Sequence, residues 1–309
     1  MGLRIRTNVA SLNAQRSLSQ STKDLNESSS KLSSGKRINK AADDAAGLAI
    51  SESMRADVRS LSVAKRSAND AISMVQTAEG ALNETSSMLV RLRELAIQGA
   101  SDTIGNKERG FIDLEFVALK DEIDRIANST EFNGVHLLAG KGAELPQQIQ
   151  DKGTHTFPLE VQVSKDYLAE ADSLEEGNPV NIIRIDLSNL NAHTHGEDSL
   201  GLGKSGEGAR VASKEQSQQS ISSLDTAISK VSEFRAYLGS IQNRFNSSIN
   251  NLGVQIENLT VSKSRIQDTD FAAETANFTS SKILQQSGTS VLGQANQNSQ
   301  IALSLLNSM

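Results

Sequence analysis

Three groups of residues have the types and spacing from which chemistry could be built. Gly201-Leu-Gly-Lys-Ser-Gly206 fits the G-x-G-x-x-G pattern of a dinucleotide-binding turn, and Gly203-Lys-Ser205 has the ending of a phosphate loop. Neither context holds. A phosphate loop needs a glycine five residues before Gly203, where Asp198 stands, and the dinucleotide turn needs a strand before it and a helix directly after it. The run reads instead as a flexible link back into a helical arm. His193-Thr-His195 with Asp198 could ligate a metal, since alternate residues of a strand project to one face, but spacing places no third ligand and H-E-x-x-H is absent. These histidines read as solvated loop residues. Asp43-Asp44 is a carboxylate pair that a helix N-cap explains without chemistry. No Ser or Thr stands out as a nucleophile, and zero Cys removes disulfides, thiolate zinc sites and thiol chemistry together. The expectation is a protein that is not an enzyme, with no catalytic residue, cofactor or metal.

The elements around these residues are of an unusual kind. Of 309 residues, 37% are hydrophobic but only 3% aromatic, with no Trp and three Pro, and positions 1–110 contain no Phe, Tyr or Trp. Enzyme cores of this size lean on aromatics for buried area; an aliphatic, Ala-based content suits long helices packed in seams. All three prolines (Pro146, Pro158, Pro179) and all four histidines (His136, His155, His193, His195) fall between 136 and 195. Within that interval Phe157–Val163 and Val180–Leu187 have the branched, partly alternating pattern of strands. We therefore expect a small β region at about 131–200 between Pro-free helical flanks.

Charge divides the same way. The net charge is −6, yet residues 1–44 carry eight Lys/Arg against four Asp/Glu, and residues 141–210 carry six against twelve. The basic terminus lacks the interleaved aromatics that stack on bases, so no nucleic-acid partner is expected. No stretch approaches the roughly 18 apolar residues of a membrane span. Met1–Asn8 opens without the apolar run of about 7 to 15 residues that marks a signal peptide, so export would need another route.

Heptad spacing is the strongest signal. From Leu61, steps of three and four land on Ala64, Ala68, Ala71, Val75, Ala78, Leu82, Thr85, Leu89, Leu92 and Ala96. From Ile221 they land on Leu224, Ile228, Val231, Arg235, Leu238, Gln242, Phe245, Ile249, Leu252, Ile256 and Leu259. The expected fold is mainly α, a long antiparallel coiled-coil or helical-bundle rod. Its outer core would be built on Leu61, Val75, Leu82, Leu89, Ile228, Leu238, Phe245 and Leu252. A helix from about 45 to 99 would run roughly 80 Å at about 1.5 Å per residue. A third, shorter helix fits Ile112, Phe116, Leu119, Ile123 and Ile126.

The two chain ends have narrower seams that alternate large with small. One reads Ser11, Ala14, Leu18, Ser21, Leu25, Ser28, Leu32; the other reads Leu284, Gly288, Val291, Ala295, Asn298, Ala302, Leu305. Such seams allow close approach but bury little area at about 25 cal/mol per Å², too little to offset the ordering of both ends. Both ends are expected to be disordered in an isolated monomer and to fold when neighbouring copies add surface.

Several phrases are specific to one family. Thr7-Asn-Val-Ala-Ser-Leu-Asn-Ala-Gln-Arg16, Leu32-Ser-Ser-Gly-Lys-Arg-Ile-Asn39, Asp43-Asp-Ala-Ala-Gly-Leu-Ala-Ile50, Ala78-Glu-Gly-Ala-Leu-Asn-Glu84 and Glu122-Ile-Asp-Arg-Ile-Ala-Asn128 through Gly134 resemble bacterial flagellin, the subunit of the flagellar filament. Ser264-Arg-Ile-Gln-Asp-Thr-Asp270, Ile283-Leu-Gln-Gln-Ser-Gly288 and Gln294-Ala-Asn-Gln297 through Leu306 resemble the matching C-terminus.

The resemblance implies a helical homopolymer for swimming motility whose terminal helices fold on assembly. Residues 1–44 plus 267–309 would form an inner coiled-coil tube, packed through Leu18, Leu25, Leu32, Leu284, Val291, Ala295 and Leu305. Residues 45–266 would form the outer helical domain. It further implies export by the flagellar type III apparatus without a cleaved signal peptide, an export chaperone, and cap and hook-junction proteins at the filament ends. Arg91, Leu95 and Glu115 match a flagellin surface sensed by a Toll-like receptor, although Val90 stands where Gln is common. The alternative within the same class is a hook-filament junction protein.

Overall fold

The computed structural model describes residues 8–140, 158–166, 180–188, 190–196, 199–204 and 207–307, with side chains to residue 297. Five helices and two strand pairs follow in the order α1 (Val9–Ser34), α2 (Ala45–Ala100), α3 (Asn106–Ser129), β1 (Glu131–Phe132), β2 (Val135–His136), β3 (Leu159–Gln162), β4 (Ile182–Ile185), α4 (Lys214–Gln267) and α5 (Phe271–Asn307). The chain is thus mainly α with a small β region, as its seams and composition predict. Phe157, at the start of one predicted strand, lies outside the described residues.

Two compact units are present: Met1–Val58 with Glu257–Met309, and Arg59–Ile256. In the first, α1 and α5 run antiparallel. The Asn8 amide donates to the Ala295 carbonyl at 2.9 Å, Ser11 pairs with Asn296 at 3.1 Å, and Gln285 donates to Thr22 at 3.4 Å. The joints are set by short polar side chains. Gly35, at φ 68°, takes the left-handed C-cap of α1, which a side chain would disfavour. Asp44 accepts from the Gly47 amide at 2.8 Å and caps α2. Asp270 accepts from the Ala272 and Ala273 amides and caps α5. The Arg37 amide donates to the Gln267 carbonyl at 2.7 Å and the Thr269 amide to the Gly35 carbonyl at 3.1 Å, so the two joints hold each other.

In the second unit the α2 seam is buried along its whole predicted length: all eleven positions from Leu61 to Ala96, Thr85 included, are buried. The α4 seam is finer than its pattern. Leu224, Val231, Leu238, Phe245 and Leu252, one per heptad, are buried, whereas Ile221, Ile228, Arg235, Gln242 and Ile249 are half-buried. That is why the polar residues are tolerated: Arg235 and Gln242 fall on the half-buried row, and the Gln242 amide reaches Glu79 on α2 at 2.7 Å. Arg93 pairs with Asp225 at 2.6 Å, which sets the same antiparallel register.

The β region supplies a lid for one side of this core. Asn133 (φ 52°) and Gly134 (φ 81°) make the two-residue turn that joins β1 to β2, a turn requiring positive φ at both positions. β3 pairs antiparallel with β4, Leu159 opposite Ile185 and Gln162 opposite Ile182. Ile182, Ile183 and Ile185 are buried, and the Tyr237 hydroxyl of α4 accepts the Asp186 amide at 3.0 Å.

Candidate functional site

The groups that invited chemistry are used structurally. His193 is buried, contrary to its reading as a solvated loop residue, and His195 is half-buried. Both face Asp124 of α3, at 3.6 and 3.5 Å. Asp124 already accepts from the Thr194 amide at 2.7 Å and hydroxyl at 2.8 Å. Burial alone would raise its carboxyl pKa, but the His193 ring, these two donors and the nearby His195 hold it below the ordinary value of 3.8. Asp198 lies outside the described residues. Among the described residues no group of three or more His, Cys, Asp or Glu is placed to hold a metal.

The described parts of the glycine-rich link, Gly201–Lys204 and Glu207 onward, are not a flexible tether. They wrap a buried stripe of α3, Arg109, Asp113, Phe116, Lys120, Ile123 and Ala127, whose polar members the sequence pattern does not single out. The Arg109 guanidinium donates to the Gly99 and Ser101 carbonyls at 2.8 and 2.9 Å, satisfying the open end of α2. Asp113 accepts from the Val211 amide at 3.0 Å and pairs with Arg210. Burial pushes its carboxyl up, and the Arg210 and Val211 hydrogen bonds with the Arg210 charge bring it below 3.8. The Lys120 ammonium meets four backbone carbonyls. The predicted face (Ile112, Phe116, Leu119, Ile123, Ile126) contains the buried Phe116 and Ile123, flanked by half-buried residues. The missed signal was available: Arg109, Asp113 and Lys120 stand in 3/4 register with those two.

What remains open are surfaces suited to association. In the first unit the small residues Ala14, Ser28 and Ala295 are buried between α1 and α5, and a Cβ at Gly288 would meet Leu18 at 3.4 Å. The large seam residues do not follow them inside. Leu18, Leu25 and Leu32 are half-buried, while Leu284 and Val291 are 56% and 57% exposed. The Leu305 side chain lies outside the described residues. A groove of about 400 Å³ runs along this seam, lined by Ala14, Ser17, Leu284, Gly288 and Val291 among others. Val9, Leu12, Phe271 and Ile283 are also more than half exposed. Apolar side chains left out at this density mark an interaction surface.

The second unit presents Phe111 and Leu114 of α3, about 70% exposed (71% and 69%), beside Val90 and Ile97 of α2. Arg91 bridges this face, pairing with Glu115 at 2.8 Å and Glu94 at 3.0 Å. The Glu115 hydrogen bond, then that to Glu94, raises the guanidinium pKa above its ordinary value. Leu95 does not belong to the face. It is 2% exposed and packs in the core. Of the expected outer core, Leu61, Val75, Leu82, Leu89, Leu238, Phe245 and Leu252 are buried and Ile228 half-buried.

Similarity to known proteins covers both ends of the chain. The family described as the bacterial flagellin N-terminal helical region matches residues 5–143, and the bacterial flagellin C-terminal helical region matches residues 221–306. The chain is 39% identical to the flagellin of Bacillus subtilis strain 168, over 98% of this chain and 100% of that protein. It is 37% identical to polar flagellin C of Vibrio parahaemolyticus, covering 99% and 100%. With the flagellar filament 33 kDa core protein of Treponema phagedenis identity is 35%, covering 98% and 99%.

Proposed function

The chain belongs to the bacterial flagellin family, and from that premise we propose how its two units divide the work of a filament subunit. It is a structural subunit that polymerises helically into the flagellar filament. In our reading residues 1–44 with 267–309 form the inner tube and residues 45–266 the outer domain. α1 and α5 are completed by neighbouring copies, which cover Leu18, Leu25, Leu32, Leu284, Val291 and Leu305 while Ala295 stays between the helices. The observation that carries this reading is the 56–57% exposure of Leu284 and Val291 along a seam whose small residues are buried. Head-to-tail contacts that do not close into a ring extend indefinitely, which is the route to an open helical polymer.

The chain reaches the filament through the flagellar type III apparatus without a cleaved signal, with a chaperone shielding the apolar C-terminal segment before export. Cap and hook-junction proteins meet it at the filament ends. On the outer face Arg91 and Glu115 provide a charged contact for a flagellin-sensing Toll-like receptor; Arg91→Ala should weaken a cell reporter's response to monomer, and an unchanged response removes that contact. The main test is electron microscopy of purified monomer with short filament seeds, beside a copy lacking 1–44 and 267–309. Long tubes from the full chain alone are expected. Extension by the truncated copy, or by neither, would overturn the assignment of the ends to the tube.

A further inference from the structure

Lys120 is the most deeply buried charge among the described residues, with no exposed surface. Its ammonium lies 3.0 Å from the Leu202 carbonyl oxygen, 3.1 Å from Glu207, 3.2 Å from Ala209 and 3.3 Å from Lys204. An ammonium has three N–H donors, so the acceptors outnumber them. Four backbone carbonyls at nearly equal distance around one point are the arrangement that replaces the hydration shell of a bare monovalent cation. Without a cation the Glu207 and Ala209 carbonyls would lose this donor, those of Leu202 and Lys204 would keep only the Ala209 and Glu207 amides that already donate to them, and four oxygens converging on one point would repel one another. A water molecule could donate to only two of them.

The backbone is shaped for this ring. Gly203 and Gly208 both have positive φ, 75° and 72°, and stand back to back. A Cβ on Gly203 would fall 2.8 Å from the Gly208 Cα, and one on Gly208 would fall 2.5 Å from the Leu202 carbonyl oxygen. Only two glycines let the strands of this turn approach closely enough for carbonyls from both sides to share one centre. The turn is further pinned by the Leu202 and Gly203 amides, which donate to the Thr194 carbonyl, and by the Ala209 amide, which donates to Leu202. We propose that this glycine turn is a monovalent-cation site, selective for a primary ammonium or a potassium-sized ion, whose resident ion is the Lys120 side chain. Because the ion is covalently carried on α3, the turn closes in any ionic medium and ties the return link to that helix.

Burial pushes Lys120 below the ordinary lysine range, while Asp124, Asp121 and Asp113 on α3 pull it upward and Arg210 opposes them. Acceptance by the four carbonyl oxygens favours the charged form against this desolvation. The first test reads the full-length wild-type protein by nitrogen NMR at neutral pH. Lys120 Nζ should appear as a slowly exchanging ammonium; a neutral amine there overturns the proposal without any variant.

The second test measures amide exchange at Leu202, Gly203 and Ala209 in full-length Lys120→Met and Lys120→Ala. Lys120→Met keeps the stem and fills the centre without charge, and should lose about tenfold or more of the protection with no response to added salt. Lys120→Ala should lose the same protection and regain most of it in potassium, ammonium or methylammonium chloride, but not in lithium or tetramethylammonium chloride. Wild-type protection in Lys120→Met would mean that the stem, not the charge, holds the turn. Absence of rescue in Lys120→Ala, or equal rescue by every salt, would likewise overturn the site.

Discussion

The two units are built from the same kind of helix and reach opposite outcomes. Among the described residues, the unit of residues 59–256 buries 35 hydrophobic side chains and the unit of the two chain ends buries three, Ala14, Ile38 and Ala295. The first can therefore stabilise itself, while the second, at about 25 cal/mol per Å² of apolar burial, leaves its large residues outside where only another surface can cover them. The difference lies in partners, not in helix quality. α2 and α4 meet along one another with α3 and the β region closing over them, whereas α1 and α5 have only each other, and their small residues bring them close without enclosing anything. In the proposed reading, one part is folded before assembly and the other is completed by it.

Core truncation should separate the units most sharply. Leu89→Ala, at a fully buried position, is expected to cost about 2–5 kcal/mol and to lower the monomer's thermal midpoint, read by circular dichroism. Leu284→Ala should leave that midpoint unchanged and abolish extension of filament seeds; a fall in monomer stability instead would show that the end unit holds a core of its own.

Next in size is the polar stripe of α3. Asp113→Ala strands the buried Val211 amide and removes the partner of Arg210, at about 1–3 kcal/mol for an unsatisfied buried group. Denaturant titration of the monomer checks it, and a change below about 0.5 kcal/mol would reduce the stripe to a surface feature.

Acid should act on the same place. Asp113 and Asp124 have folded pKa values below the ordinary 3.8, so in the folded state they bind fewer protons than the unfolded chain does. Their contribution is complete above 3.8 and is lost as pH falls through the folded values. The melting midpoint should hold at mildly acidic pH and drop below about pH 4. In Asp113→Asn that drop should shrink, and an identical acid profile would assign the sensitivity elsewhere.

The smallest effect tests the narrow seam. Gly288→Ala places a Cβ at ordinary contact distance from Leu18 and should gain up to about 1 kcal/mol of helix propensity. Far-ultraviolet circular dichroism of monomer should show slightly more helix. Less helix would mean that α1 and α5 approach more tightly than their seam allows.

Much of this was legible in spacing. The eleven α2 positions and the existence of the α4 seam follow from steps of three and four, because a helix shows the same face every seven residues whatever its neighbours are; the split of the α4 seam into a buried and a half-buried row does not. The capping role of Asp44, the strand segments at 159–162 and 182–185 and the aliphatic character of the ends also follow from local chemistry, whereas the β1–β2 hairpin was not singled out. Family membership was legible as phrases, since contact-rich helices constrain long runs of residues at once. What spacing could not decide is which side of a polar residue faces inward. Arg109, Asp113 and Lys120 occupy core positions of α3 because backbone carbonyls and an arginine from distant segments arrive to meet them, and His193 is buried because Asp124 does the same. Leu95 is apolar both for a surface reader and for a core reader, and only the packing of the second unit assigns it to the core. The sequence by itself determined periodicity, caps and turns, which depend on neighbours within a few residues. Tertiary structure alone decided the fate of buried charges, because the desolvation they suffer is offset only by partners from ten to 98 residues away.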